Sequence, residues 1–317
     1  MYDVAALGEL LIDFTPSGQS AAGMRLFEQN PGGAPANALA ALTKLGMKTA
    51  FLGKVGDDMH GAFLKETLEA AGIDTQGLVV DPEVFTTLAF VSLNPQGERQ
   101  FSFARKPGAD TCLKPEEVNL EVLKESRIFH VGSLSLTDEP CRSATVFALE
   151  QSRKLGKIIS YDPNYRALLW KSRESAMEGM RSVLSFVDVM KISDEETGLL
   201  TDHEKPEEAA EALLERGISL VAVTLGKEGA YVRTREGGAV VAGFQSQVAD
   251  TTGAGDSFWG GFLYQLAKSG KVPAEVTLEE AKAFARFGNA VASLCVEKRG
   301  GIPAMPSMEQ VEERLGR

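Results

Sequence analysis

Lys157-Ile-Ile-Ser-Tyr161, Val187-Asp-Val-Met-Lys-Ile192 and Val221-Ala-Val-Thr-Leu225 are short apolar runs rich in β-branched residues, each the length of one buried strand. The segments around them carry helical apolar spacing, as at Leu39, Leu42 and Leu45 or at Ala209, Leu213 and Leu214. Gly46, Gly72, Gly156 and Gly217 each stand just before a strand-like run, where a glycine suits the left-handed end of a helix. Strands alternating with helices of this length predict an α/β fold. Its sheet is mainly parallel and doubly wound, with helices on both faces and ligands at the carboxyl ends of the strands.

Working outward, the N-terminal run MYDVAALGELLIDF reads as one buried strand ending near Asp13. It lacks a basic leader and carries Asp3, Glu9 and Asp13, unlike a signal peptide, so a cytoplasmic protein is expected. Two stretches break the alternation, TPSGQSAAGMRLFEQNP at 15–31 and FTTLAFVSLNPQGERQFSFARKPG at 85–108. Their turn signals, Ser17-Gly18 and Asn94-Pro95-Gln96-Gly97, and the period-two pair Phe101 and Phe103 predict antiparallel hairpins. We expect the two to form one small discontinuous β lid over the ligand edge, with 1–14, 32–84 and 109–317 as the core. On pattern alone, two unrelated surface hairpins are the alternative.

Acidic residues outnumber basic ones, 44 to 33, and the net charge of −11 opposes nonspecific binding to nucleic acid or to an anionic membrane. No apolar run approaches the roughly 20 residues of a membrane span. Cys112, Cys141 and Cys295 are odd in number and unpatterned, which fits a reducing compartment better than a disulfide framework or a zinc site. His60, His130 and His203 include no HExxH pair.

Asp250-Thr-Thr-Gly-Ala-Gly-Asp256-Ser-Phe-Trp-Gly-Gly-Phe262 carries the chemistry. Gly253 and Gly255 lack Cβ, so their backbone can approach a phosphate, and Phe258, Phe262, Leu263 and Leu266 then follow at helical spacing. A Gly-rich turn opening a helix is a candidate anion hole. Read plainly, it is a tight turn into a buried helix, but Asp256 in the first turn adds a cap or a base. Other glycine motifs fail. Phe258 stands where a dinucleotide fingerprint needs its third glycine, the Gly-Lys pairs at 53, 156, 226 and 270 lack a following Ser or Thr, and Trp259 breaks a nucleophile elbow.

Gly53-Lys-Val-Gly56-Asp57-Asp58-Met-His-Gly61 and the DTTGAGDSF run resemble the two signature segments of the ribokinase-like (PfkB) carbohydrate kinases, in the expected order. Gly32-Gly33-Ala-Pro-Ala-Asn37 resembles that family's sugar-binding turn, and Thr224-Leu-Gly226-Lys-Glu-Gly229 its nucleotide loop. FSFARKPGAD at 101–110, SYDPNYR at 160–166, KISDEE at 191–196 and RGGIPAMP at 299–306 are most similar to the fructokinase branch.

The resemblance implies a ribokinase-like fold and a set of roles. Asp13, at the end of the first strand, with Gly32, Gly33 and Asn37 would bind sugar hydroxyls; read alone, Asp13 also suits a strand-end cap and Asn37 a polar helix start. Asp256 would accept the hydroxyl proton, while the Gly253–Gly255 turn, through the Ala254 and Gly255 amides, holds the γ-phosphoryl charge. Its place at a helix N-terminus predicts a lowered pKa. Glu196 takes the acid position of the family's metal-associated NxxE segment and would organise Mg²⁺ through water, although Ser193 replaces the asparagine and a surface acid is the plain alternative. Asn164 would bind substrate, and Arg166 would bridge substrate and phosphate or form a solvent-facing ion pair. Arg105 would close from the lid over sugar or phosphates, or serve as a solubilising edge residue. Thr224, Gly226 and Gly229 would hold the nucleotide. Asn289 would approach the adenine, though GNAVAS also suits a tightly packed helix. Asp250 and the Thr252 carbonyl resemble a K⁺ site.

The implied activity is ATP-dependent phosphorylation of fructose to fructose 6-phosphate, with ATP and Mg²⁺ required. The partners expected are the sugar, ATP and a second copy joined through lid strands. A 2-keto-3-deoxygluconate kinase or ribokinase shares the chemistry; the acidic acceptor would call for paired basic residues such as Arg105 and Arg166. A binding sensor with a degenerate site is the alternative of another class, and the intact Asp256 argues against it.

Overall fold

The computed structural model describes residues 1–93 and 99–316. Its strands are β1 Tyr2–Leu7, β2 Leu11–Gln19, β3 Arg25–Gly32, β4 Thr49–Gly56, β5 Asp74–Asp81, β6 Leu88–Leu93, β7 Arg99–Ala104, β8 Ser126–Val131, β9 Ile158–Tyr161, β10 Val189–Ser193, β11 Leu220–Thr224, β12 Gly229–Thr234 and β13 Gly237–Ala242. The α-helices are α1 Ala34–Lys44, α2 Met59–Ala70, α3 Leu120–Glu125, α4 Cys141–Lys154, α5 Arg173–Arg181, α6 Thr197–Thr201, α7 Pro206–Glu215, α8 Ala254–Ser269, α9 Leu278–Cys295 and α10 Met308–Gly316. Gly46, Gly72, Gly156 and Gly217 follow α1, α2, α4 and α7 at positive φ, as their sequence position predicts.

The main sheet has nine strands in the order β13-β12-β11-β10-β9-β8-β1-β4-β5. All neighbours run parallel except β11 with β12 and β12 with β13. Side chains alternate between its faces. On β1, Val4 and Ala6 join a core with Leu39 of α1, Trp259 of α8 and Phe284 of α9, while Ala5 and Leu7 join a second core with Leu149 of α4 and Leu213 of α7. Both faces are therefore covered, and the parallel strands read as mainly apolar runs. Strand order reverses at β1: the chain runs outward through β4 and β5, then returns to β8 on the other side. The carboxyl ends of β1 and β8 are thus the switch point where a crevice opens.

The second sheet has the order β3-β2-β6-β7. Two antiparallel hairpins, β2 with β3 and β6 with β7, are joined by parallel pairing of Ile12 with Leu88 and Phe14 with Phe90. That pairing makes the two hairpins one lid and excludes unrelated surface hairpins. The turn expected at Asn94–Gly97 lies outside the described residues. The N-terminal expectation needs correction. MYDVAALGELLIDF is two strands in two sheets, so Asp13 sits on β2 of the lid and not at the end of β1. Continuous burial from Val4 to Ile12 hid the break, because the chain passes from one sheet to the other without surfacing. Among the described residues no helix is long and apolar enough to cross a membrane.

Candidate active site

Helix α8 begins at Gly253, whose φ of 75° lies in the left-handed region. A Cβ at Gly260 would press on Ala41 of α1 at 2.7 Å, and one at Gly288 of α9 would lie 2.7 Å from the Phe258 carbonyl. These glycines let α8 lie close against both neighbours, which brings Asn37 of α1 to the first turn of α8. There the Asn37 Nδ2 donates to Asp256 Oδ2 at 2.8 Å, and from the segment after β9 the Asn164 Nδ2 donates to Oδ1 at 2.7 Å. Asp256 is thus buried between two amide donors, one per oxygen. Its pKa is raised, by burial first, against the lowering pull of Asn37, Lys191, Arg166 and Asn164. This corrects the expectation of a lowered value: loss of water outweighs the field of the helix terminus.

Of the two amides expected to hold the phosphoryl charge, that of Ala254 is already engaged within the turn. Ala254 N–H donates to the Thr251 carbonyl at 3.2 Å, closing the turn that precedes the helix. A Cβ on Gly255 would lie 3.0 Å from Lys191 Nζ. Asp250 locks the base of the turn: its Oδ1 accepts from Thr252 N and Oγ1 at 3.0 and 2.8 Å, and its Oδ2 from Gly300 N at 3.1 Å. The Asp250 carboxylate thus joins Thr252 to the Gly300 loop.

On the lid side, Asp13 pairs across the strands with Asn30, whose Nδ2 donates to the Asp13 carbonyl at 3.4 Å. Gly32 has no Cβ, and one there would overlap the Asp13 carboxylate. Gly33 caps α1 at φ 127°, a position where a Cβ would overlap the Glu9 carbonyl. Gly32 therefore makes room for the Asp13 carboxylate and Gly33 for the backbone of Glu9. Thr224 ends β11 next to Ser193, and Gly226 and Gly229, with φ of 56° and 108°, shape the loop that follows.

Two expected roles, of Arg105 and Asn289, are corrected, and for Glu196 one alternative is excluded. Arg105 is buried and paired instead of standing open on the lid. Its side chain is 4% exposed, its guanidinium pairs with Asp110 at 2.7 Å, and it also donates to Thr137 Oγ1 and the Leu134 carbonyl at 3.0 Å each. Glu196 is no surface acid. It is buried, with Oε1 accepting from Tyr165 N at 2.6 Å and Oε2 from Ser193 N at 2.7 Å, so it ties the end of β10 to the 162–166 loop. Asn289 spends its amide on the carbonyls of Val241 and Ala242, at 3.0 and 3.1 Å, and anchors the end of β13 to α9. Arg166 remains exposed, donating to the Tyr165 carbonyl at 3.0 Å.

Sequence reasoning missed Glu9, Asp162 and Lys191. Glu9 follows β1 at the switch point, fully buried; its Oε1 accepts from Ala34 N at 2.8 Å at the start of α1, and burial pushes its pKa up to about 7. Asp162 and Lys191 form a buried ion pair at 2.9 Å. For Glu9 and Lys191 the available signal was a charged residue inside an otherwise apolar run; Asp162 lies one residue past β9.

With this geometry in place, the chain can be compared with known proteins. The profile of the pfkB family carbohydrate kinases matches residues 1–308. A probable fructokinase-5 of Arabidopsis thaliana is 44% identical over 98% of this chain and 97% of its own length. A Xylella fastidiosa fructokinase with bound ATP superposes with a TM-score of 0.92 at 33% identity, covering 100% of this chain and 99% of that one. A double mutant of Vibrio cholerae fructokinase with fructose, ADP and potassium bound has a TM-score of 0.89 at 33% identity, covering 99% and 98%.

Proposed function

Since this chain belongs to the pfkB family of carbohydrate kinases, we propose that it transfers the γ-phosphoryl group of ATP to the 6-hydroxyl of fructose. The observation that carries this reading is Asp256, a buried carboxylate in the first turn of α8, held by Asn37 and Asn164 beside a glycine turn suited to phosphate. Asp256 takes the hydroxyl proton as the new O–P bond forms, while the turn and the positive end of α8 meet the phosphoryl charge. Because the transition state is loose, positioning and electrostatics supply most of the acceleration.

Asp13, Gly32, Gly33 and Asn37 line the sugar side, and the Thr224–Gly229 loop the nucleotide side. A neutral acceptor is supported by Arg105: its charge is spent on buried Asp110, which leaves Arg166 without the basic lid partner that a carboxylate acceptor calls for. Among the described residues no group of three or more His, Cys, Asp or Glu could hold a metal ion by itself. Mg²⁺ binds through nucleotide phosphates, water and one or two carboxylates, and Glu196 would be the acid that organises it through water. When bound, Mg²⁺ neutralises charge on the phosphate oxygens. Asp250 and Thr252 would hold K⁺, as a potassium-bound relative encourages. Three free thiols suit a reducing compartment, and we assign the cytoplasm.

A coupled assay across a panel of sugars tests the reading. kcat/KM for fructose should exceed that for 2-keto-3-deoxygluconate by at least about 100-fold, equivalent to roughly 2.7 kcal/mol. Arg166→Ala should lower turnover more than sugar affinity. Preference for the acid, abolished by Arg166→Ala, would reassign the acceptor.

A further inference from the structure

On the α8 face of the sheet, two charged groups have no part in the reaction as derived. Alternation places Lys191 on the same face as Val189, and Asp162 on the same face as Ile158, both toward α8. The parallel register sets Val189 beside Ser160 and Met190 beside Tyr161, so its continuation brings Lys191 to Asp162. Lys191 Nζ donates to Asp162 Oδ2 at 2.9 Å and to Oδ1 at 3.1 Å, with the residues 4% and 3% exposed. Burying such a pair gains little stability, because desolvation of both ions offsets their attraction. Its position is more informative. The ammonium lies against Gly255, and Asp162 Oδ1 also accepts the backbone N–H of Asn164 at 3.1 Å. Asn164 is held at φ 47°, and its side chain donates to Asp256.

We propose that Lys191 is a positioning residue for phosphoryl transfer: fixed by Asp162 beneath the first turn of α8, it supplies the buried positive charge that faces Asp256 and steadies the Asn164 arm that orients it. This rests on the reading of Asp256 as the base. Asp256 is faced by Asn37 from α1, by Asp162, Asn164 and Arg166 after β9, by Lys191 from β10 and by Cys295 from α9, while Glu196 faces Lys191 and Asp162. The cations among them are Lys191 and Arg166, and Arg166 is exposed, where water screens it. In the reaction Asp256 gains the proton of the 6-hydroxyl, the sugar oxygen bonds to the γ-phosphorus, and the bond to ADP breaks with its electron pair leaving on ADP. Lys191 exchanges no proton.

The test is the pH profile of kcat/KM for fructose in two variants, with Asp256→Asn measured alongside. Removing the cation with Lys191→Met favours protonated Asp256, so the acid limb moves up by about 1 pH unit, with kcat below the limb falling about tenfold and KM nearly unchanged. Removing the anion with Asp162→Asn keeps the shape and the acceptor for Asn164 N–H but unmasks Lys191, so the limb moves down. Structural damage alone does not produce shifts of opposite sign. If Lys191→Met fails to fold, Lys191→Gln, which keeps the length and removes the charge, carries the test by the same upward shift. A limb that stays in place or moves down when Lys191 loses its charge overturns the role of Lys191. Near-normal turnover in Asp256→Asn overturns the base instead, whichever way the limbs move.

Discussion

Asp256 is a carboxylate whose burial favours the proton and whose two amide donors favour the charge, so each oxygen is aimed before substrate arrives. Asp256→Asn keeps the size but removes the base, and turnover should fall by about 10²–10⁴-fold with sugar binding retained, as steady-state kinetics would report. Arg105→Ala acts differently. It leaves Asp110 buried without its partner, so chemical denaturation should show a loss of about 3–5 kcal/mol. Glu9 gives a stability test with a definite sign. Its folded pKa of about 7 lies above its ordinary value of 4.5, so its stabilising protonated form is fully present below pH 4.5 and is lost as pH rises through 7. Glu9→Gln keeps the acceptor for Ala34 N–H. It should therefore gain up to about 3 kcal/mol on wild type between pH 4.5 and pH 7.5, measured by melting at both ends.

At the scale of elements, the site depends on how closely α8 approaches its neighbours. Gly255→Val places a branched side chain against Lys191 and crowds the phosphate turn. Turnover should be lost while circular dichroism stays native; normal activity would show that this turn does not hold the phosphate. Gly260→Val should push α8 off α1, costing about 1–3 kcal/mol as overpacking and parting Asn37 from Asp256, so kcat should fall with stability. Helix α8 itself was legible, since Phe258, Phe262, Leu263 and Leu266 at helical spacing are all buried. Its contact with Asn37, from a helix more than two hundred residues earlier, was not, because helix crossing is set by glycines whose neighbours lie elsewhere in the chain.

For the whole molecule, the lid keeps aromatic side chains partly open beside the core. Phe27 and Phe90 are 43% and 40% exposed and meet edge to face, with Phe14, itself packed against the main core, stacked on Phe90. Exposed aromatic side chains on a small sheet suit the homodimer through the lids that the sequence leads us to propose. Sedimentation should then find a dimer for wild type and a monomer for Phe27→Asp; a wild-type monomer would remove the proposal.

Alternating strands, cap glycines and the DTTGAGDSF turn follow from local periodicity and local backbone freedom, so the sequence by itself determined the parallel sheet, the helix behind the turn and Asp256 as its acid. Tertiary structure decided what local pattern cannot carry. A buried run of apolar residues does not reveal that it changes sheets at Gly8, which moved Asp13 into the lid. An arginine in a hairpin does not reveal that Asp110 waits beneath it. The proton affinity of Asp256, raised where its helix position predicts lowering, depends on how much water the packed chain excludes, and that is a property of the assembled fold alone.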